Sequence, residues 1–161
     1  MFFYGEFPYS MDDRKRVPIP PPFRPEFEQK GIVMTRGNEH CVTVYTTESF
    51  NAEVAAMREL SRANGSVRNA MRHVFGKMRQ QDRPDTQGRV TLDPQLIEWA
   101  GLKTEVIVVG ADTVLEIWER AAWEAGAEQR EAGYEQVLDA VSGLQNQRLG
   151  LVGIGSAGGA S

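Results

Sequence analysis

Apolar residues fall in short runs, most of them alternating with polar or proline residues, and elsewhere they recur at helical spacing. The short runs predict strands at residues 3–9, 17–19, 32–34, 41–45, 90–92, 106–109 and 114–118. Spacings of three and four residues predict helices at 23–28, from 49 or 51 to 60, at 66–75, from 93 or 94 to 100, and at 120–141 with interruptions at Gly126 and Gly133. The pattern therefore predicts an α+β protein.

The second half of the sequence repeats the pattern of the first half without a gap. The offset is 73 residues (85 − 12), which separates Asp12 from Asp85 and also Arg16 from Arg89. Further coincident pairs are Gly37 with Gly110, Phe50 with Trp123, Val17 with Val90, Ile19 with Leu92, Phe23 with Leu96, Val44 with Ile117 and Tyr45 with Trp118. A constant offset across strands, loops and helices indicates a duplicated unit. We expect two tandem half-domains packed about a pseudo-two-fold axis.

Length and composition limit the class of protein. A chain of 161 residues allows one domain or two small ones, and its single Cys41 excludes an internal disulfide framework. The start has no basic and apolar leader, and no apolar stretch approaches the ~20 residues that a membrane span needs. We expect a cytoplasmic protein with a first unit and its helix at 1–65, a connecting helix, second unit and C-terminal helix at 66–143, and a Gly/Ser-rich disordered tail at 144–161.

Charge is unevenly distributed although the net charge is only −4. Residues 58–89 hold eight Lys or Arg against three acids, residues 14–16 add three more cations, and residues 98–139 hold ten acids against three cations. Such a distribution suits a polyanion-binding face opposed by an acidic face. Arg68 and Arg72 share one side of the predicted helix at 66–75, where they either follow a phosphate track or form a subunit or solvent face.

Each half begins with an Asp-x-x-x-Arg loop that precedes a strand, at residues 12–16 and 85–89. An arginine fork can bond guanine O6 and N7 in the major groove, or a phosphate group. The aspartate that begins each loop can accept backbone N–H bonds and pair with the arginine. Two interpretations stay open, namely loops that contact DNA and structural Asp–Arg clasps that contact nothing outside the protein.

Catalytic and metal chemistry find no support in the residue pattern. No nucleophile with its base can be assigned, and His40, Cys41 and His73 lack the further ligands and regular spacing of a metal site. We therefore expect no enzyme activity, no metal, no cofactor and no small-molecule substrate.

The ordered motifs of the two halves resemble the MraZ transcriptional regulators. The run from Asp12 to Arg16, continued by Val17, Ile19, Pro20, Pro21, Phe23 and Arg24, is similar to the first signature of that family. The run from Asp85 to Leu92, followed by Leu96 and residues 100–102, is similar to the second, and residues 35–37 and 116–118 also match. The resemblance covers roughly residues 1–140. Two departures stand out: Lys15 replaces a usual Gly, and Asp93 replaces a usual Pro, which follows as Pro94.

This resemblance implies a fold of two AbrB-like swapped-hairpin units in tandem, with short helices, in one chain. It also implies a cytoplasmic, nucleoid-associated regulator that forms a ring of many subunits. Such regulators bind guanine-rich direct repeats in double-stranded DNA upstream of the operon for division and cell-wall synthesis. The residues that carry over are Arg14, Lys15, Arg16, Thr86, Gln87 and Arg89 as DNA-binding residues, and Asp12 and Asp85 as braces of the loops. We expect Arg16 and Arg89 to contact base edges and Arg14 or Lys15 to contact phosphates. The alternative is an oligomeric scaffold or interaction protein without DNA readout.

Overall fold

The computed structural model describes residues 1–154, with side chains described to residue 150. The chain divides into two compact units, Met1–Trp123 and Glu124–Ser161. The first unit contains eight strands: β1 (Glu6–Ser10), β2 (Arg16–Pro18), β3 (Ile32–Arg36), β4 (Val42–Thr46), β5 (Arg79–Gln81), β6 (Arg89–Thr91), β7 (Glu105–Ala111) and β8 (Val114–Glu119). Its helices are a 3-10 turn (Pro21–Phe23), α1 (Arg24–Lys30), α2 (Thr47–Ala63), α3 (Gly65–Lys77) and α4 (Pro94–Ala100).

The strands form an antiparallel six-stranded sheet in the order β1-β7-β8-β4-β3-β5 and a separate two-stranded ribbon of β2 and β6. Each half contributes one hairpin, β3–β4 or β7–β8, and the two hairpins meet where β4 pairs with β8. The first strand of each half pairs with the hairpin of the other half, because β1 adds to β7 and β5 adds to β3. The α+β fold and the swapped, duplicated arrangement expected from the sequence are confirmed.

The β2–β6 ribbon lies on one face of the six-stranded sheet, and helices α2 and α3 lie on the other. Ile32 and Met34 share one buried cluster with Val17 and Val90 of the ribbon, together with residues of α1 and α4. Val33, whose side chain points the other way along β3, packs in a second cluster with residues of α2 and α3. Alternation along a single strand therefore places the β2–β6 ribbon on one side of the first unit and α2 with α3 on the other.

Local capping sets the helix boundaries, and two of them differ from the sequence-based expectation. Thr46, not Ser49 or Asn51, caps α2 by accepting a hydrogen bond from Ser49 N at 3.1 Å. Asn64 caps α3, so this helix already begins at Gly65. In both cases the residue directly before the helix is extended and carries the capping oxygen. Thr46 is also the last residue of β4, and Asn64 is the single residue between α2 and α3, so neither cap is preceded by a loop that would mark it in the sequence. Asp93 caps α4 as expected, and Gly101 ends that helix in the left-handed conformation.

The C-terminal region is more helical than the sequence suggested. Helices α5 (Arg120–Ala125) and α6 (Ala127–Ile154) are separated at Gly126 as expected, but α6 continues through Gly133. The disordered tail expected from residue 144 is wrong for residues 144–154, and the rest of that segment lies outside the described residues. Residues 144–149 are Leu and helix-compatible polar residues, and the glycines become dense only near the end of the chain. Within the described residues, no helix is both long and apolar enough to cross a membrane.

Candidate nucleic-acid interface

The two Asp-x-x-x-Arg loops lead into the paired strands of the ribbon. The first loop, residues 12–16, ends in β2 and the second loop, residues 85–89, ends in β6. Within the ribbon Arg16 lies opposite Thr91, Val17 opposite Val90, and Pro18 opposite Arg89. This antiparallel register relates the two loops by the pseudo-two-fold axis. Both loops therefore lie next to the β2–β6 ribbon, and their side chains lie close to one another.

Each loop is closed by its own aspartate in the same way. Asp12 Oδ1 accepts hydrogen bonds from the backbone N–H groups of Arg14 at 3.0 Å and Arg16 at 2.8 Å. Asp85 Oδ1 accepts the equivalent bonds from Gln87 and Arg89, both at 2.9 Å. The loop-bracing geometry expected of the two aspartates is therefore present in this structure.

The four charged side chains of the two loops form a closed ring, which we call the Asp–Arg ring (Asp12, Arg16, Asp85 and Arg89). Arg16 Nε bonds Asp12 Oδ2 at 2.7 Å, and Arg89 Nε bonds Asp85 Oδ2 at 2.8 Å. Two longer contacts cross between the loops, from Arg16 Nη1 to Asp85 at 3.8 Å and from Arg89 Nη1 to Asp12 at 3.5 Å. Each arginine thus contacts both carboxylates, and the ring joins the two loops.

The ring is sheltered but still reaches solvent. The side chains of Arg16 and Arg89 are 25% and 20% exposed, which leaves part of each side chain accessible. Partial burial by itself would raise the pKa of Asp12, but hydrogen bonds from the backbone and side chain of Arg16, and its charge, hold that pKa below its ordinary value. Asp85 has its pKa lowered in the same way, with Arg89 as the main partner and Gln87 N–H as a further donor. Both carboxylates are therefore charged at neutral pH.

Lys15, which stands where the family resemblance leads us to expect Gly, adopts the conformation of its counterpart Gly88 in the second loop. Lys15 adopts φ 60°, in the left-handed region, and the equivalent Gly88 adopts φ 76°. The two residues also use equivalent carbonyls, because Leu92 N donates to Lys15 O and Ile19 N donates to Gly88 O, both at 2.8 Å. The first loop thus has the same turn as the second and carries an additional cation, at the cost of backbone strain for a residue with a Cβ atom.

Side chains at the tips of the loops point outward and differ in chemistry. Asp13, Arg14 and Lys15 are exposed in the first loop, and Thr86 and Gln87 are exposed in the second. The first tip is therefore cationic, whereas the second is neutral and carries hydroxyl and amide groups. The structure brings all six expected DNA-binding residues to the same ribbon, with Arg16 and Arg89 set back in the ring and the other four at the tips.

Two further arginines near the second loop were not singled out by the sequence. Arg24 Nε donates to Ile19 O at 2.8 Å, and its side chain occupies the space that a Cβ atom on Gly88 would need. Arg83 is exposed two residues before Asp85. Arg24 is within the first family signature, and a requirement for Gly at position 88 is the signal that could have predicted its role.

The basic residues are divided between the two faces of the sheet, so the expectation of one basic face is wrong. Arg58 and Arg62 lie on α2, and Arg68 and Arg72 lie on α3. These helices cover the face opposite the ribbon, as the separate buried clusters show. Basic residues that are neighbours in the sequence do not share one face, because the chain crosses from one side of the sheet to the other between α3 and the second loop.

Comparison with known proteins gives the family. The sequence model of the MraZ protein family, described as antitoxin-like, matches residues 2–73 and 79–141, which are the two halves of the duplication. The chain belongs to the MraZ family. Its similarity to individual members extends over most of both chains. It is 37% identical over 132 residues to a Corynebacterium diphtheriae protein named transcriptional regulator MraZ, covering 82% of this chain and 91% of that protein.

Two further relatives carry the same name. A Corynebacterium glutamicum protein is 36% identical over 141 residues, covering 88% of this chain and 97% of its own length. A Kocuria rhizophila protein is 34% identical over 139 residues, covering 86% and 96%. The family assignment thus includes both Asp–Arg loops and the strands that follow them. Among the described residues, no group of three or more His, Cys, Asp or Glu side chains is arranged to hold a metal ion.

Proposed function

We propose that this MraZ protein is a DNA-binding transcriptional regulator whose two loop tips contact double-stranded DNA together. The observation that carries the proposal is the Asp–Arg ring, which fixes two outward-pointing loops side by side at the β2–β6 ribbon. A paired ribbon of this width suits the major groove of DNA. Loops already held in one conformation lose little entropy on binding.

The geometry supports a division of labour among the six candidate residues. Arg14 and Lys15 are exposed cations and contact phosphates, which positions the protein without reading sequence. Thr86 and Gln87 are exposed neutral groups and contact base edges, because hydroxyl and amide groups pair with bases with little general attraction to phosphate. Arg16 and Arg89 act mainly as positioning residues, since each already contacts two carboxylates. This revises the base-reading role that the sequence alone suggested for these two arginines.

The difference between the tips has a consequence for the target. An AbrB-like dimer of identical chains presents identical loops and suits a palindrome, whereas this chain presents one cationic and one neutral loop. An asymmetric reader suits a half-site without internal symmetry, repeated in the same direction. We therefore propose direct repeats in double-stranded DNA as the target. The family resemblance implies that these repeats are guanine-rich and lie near the promoter of the division and cell-wall operon, in the nucleoid of the cytoplasm. A ring-shaped homo-oligomer would raise the affinity by binding several repeats at once.

Fluorescence anisotropy with a duplex of direct repeats tests the proposal. The variant Arg14→Ala/Lys15→Ala should bind more weakly, and its slope of log affinity against log salt should be smaller by about 2. The matched control is Arg62→Ala, which removes an exposed cation from the opposite face of the sheet and should change neither quantity. Thr86→Ala/Gln87→Ala should lower discrimination between repeat and scrambled duplexes by about 1–3 kcal/mol, with little change in salt slope.

Salt dependence also separates this function from that of a scaffold protein. Binding through several phosphates must weaken steeply as salt rises. If the wild-type protein assembles identically at low and high salt and binds repeat duplexes no better than the Arg14→Ala/Lys15→Ala variant, the loops are structural clasps and the scaffold interpretation holds.

A further inference from the structure

Helix α6 carries an apolar stripe that stays exposed. The stripe consists of Tyr134, Val137, Leu138, Val141 and Leu144. The last four lie three, four, seven and ten residues after Tyr134. These side chains are between 45% and 64% exposed. Spacing of this kind places them on one side of the helix, where a long apolar surface usually marks an interface.

Helix α6 also contains glycines that lower its own stability. It contains Gly133, Gly143 and Gly150, and a Cβ atom at any of these positions would meet only open space. Each internal glycine costs about 1 kcal/mol of helix stability relative to alanine, so propensity alone does not favour a helix of this length. Burial of the stripe would supply the missing stabilisation.

We propose that the stripe pairs antiparallel with the same stripe of a second copy of this chain, centred on Val141. The pattern is self-complementary about that residue: Leu138 then faces Leu144 of the second copy, and Tyr134 faces Arg148. An arginine over a tyrosine ring is a favourable cation–π contact, and Glu131 lies one turn from Tyr134 within the reach of the same arginine. In a parallel pair Arg148 would instead face Arg148 of the second copy, and the two positive charges would repel each other. The charge pattern therefore selects the antiparallel arrangement.

This pairing goes beyond DNA binding by the loops and uses residues outside both of them. It produces a closed two-fold contact between protomers. Two protomers joined in this way carry two pairs of loops into one particle. The stripe and the loops can therefore be tested by separate variants, and failure of one proposal leaves the other standing.

Single-cysteine crosslinking of the full-length protein with a short-spacer bis-maleimide tests both the contact and its direction. Val141→Cys lies on the proposed axis and should crosslink copy to copy. Tyr134→Cys and Arg148→Cys should each stay uncrosslinked alone, because the two equivalent residues are about 21 Å apart along the helices, and should crosslink when the two variants are mixed. Gln136→Cys, on the opposite side of α6, is the control and should not react across copies. The native Cys41 is buried and its pKa is raised to about 12, so it contributes no background.

Three outcomes would overturn the proposal. Crosslinking of Arg148→Cys alone as fully as Val141→Cys indicates a parallel pair, and no crosslinking of Val141→Cys indicates that the stripe has another occupant. The third outcome comes from a second measurement, the particle mass by light scattering. Val141→Asp should reduce the mass by half or more while retaining binding to a single-repeat duplex, whereas Gln136→Asp should leave the mass unchanged. An unchanged mass for Val141→Asp, with helicity retained by circular dichroism, contradicts the pairing.

Discussion

Val17 and Val90, which occupy the same position in the two halves of the sequence, lie directly opposite each other in the β2–β6 ribbon. Both side chains are fully buried in the main core. The pseudo-two-fold axis of the duplication therefore passes through this pair, and the two Asp–Arg loops flank it. The position of the candidate DNA-binding surface follows from this relationship, because any residue of one loop is matched across the axis by its equivalent in the other.

The Asp–Arg ring should make stability depend on pH in the acid range. Asp12 and Asp85 have pKa values below the ordinary 3.8, so their contribution to the free energy of unfolding is fully present above 3.8 and is lost as the pH falls through their folded-state pKa values. The variant Asp12→Asn/Asp85→Asn keeps the backbone-accepting oxygens but removes the charges. We expect it to have a lower melting temperature at pH 7 and a smaller loss of melting temperature between pH 7 and the acid range.

The control for this experiment is Asp13→Asn, which removes an exposed carboxylate next to the ring and should leave the melting temperature at pH 7 unchanged. Parallel pH profiles for the wild type and the Asp12→Asn/Asp85→Asn variant would show that the ring contributes nothing to stability through its charges.

Lys15→Gly should stabilise the fold and weaken DNA binding at the same time. Glycine removes the strain of a Cβ atom at φ 60°, which is worth about 1 kcal/mol, and it also removes one exposed cation. Chemical denaturation measures the first effect, and the salt slope of duplex binding, which should fall by about 1, measures the second. An unchanged salt slope would remove Lys15 from the set of phosphate contacts.

Gly88→Ala should destabilise the protein although its counterpart Lys15 tolerates a side chain. Gly88 has φ 76°, and the added methyl group would meet the side chain of Arg24, which is held by its bond to Ile19 O. We expect a loss of roughly 1–3 kcal/mol in the free energy of unfolding. In the background Arg24→Ala the same change should cost less, because only the backbone strain remains. Equal costs in both backgrounds would show that Arg24 does not restrict the second loop.

Cys41 should be unreactive toward thiol reagents in the folded protein at neutral pH. Burial raises the pKa of the thiol to about 12, and the charge of Glu116 acts in the same direction. Since the thiolate is the reactive species, labelling should proceed only through opening of the structure. The labelling rate should rise with denaturant in step with unfolding measured by fluorescence. Fast labelling without denaturant would contradict the buried position.

Much of the fold could be predicted because the duplication constrains it twice. One offset relates the loops, the hairpins and the short helices, so a weak pattern in one half was supported by the other. Strand β5 was missed because it has only three residues and none is strongly apolar. Its register also departs from the offset: Ser10 of β1 pairs with Glu105, but Ile32, the residue equivalent to Glu105, pairs with Gln81 rather than with Arg83. Such a shift of two residues preserves the sheet face and leaves no trace in the apolar pattern.

The candidate site was predicted less completely than the fold. The sequence identified all four members of the Asp–Arg ring, but only the structure shows that each arginine contacts the aspartates of both loops. That contact between the halves depends on the ribbon register. The extension of α6 to residue 154 does not follow from composition, because the glycine-rich end of the chain indicates disorder while the helix-compatible residues before it carry no strong pattern.

Photo-crosslinking to DNA tests the central claim most directly, because it locates the bound surface without relying on loss of affinity. A photoreactive amino acid is placed at position 14 in the first loop, at 87 in the second, or at 68 on α3, and each protein is irradiated with a repeat duplex. We expect crosslinks from positions 14 and 87, each to its own fixed position within a repeat, and none from position 68. Crosslinks from position 68 with none from the two loops would contradict the account.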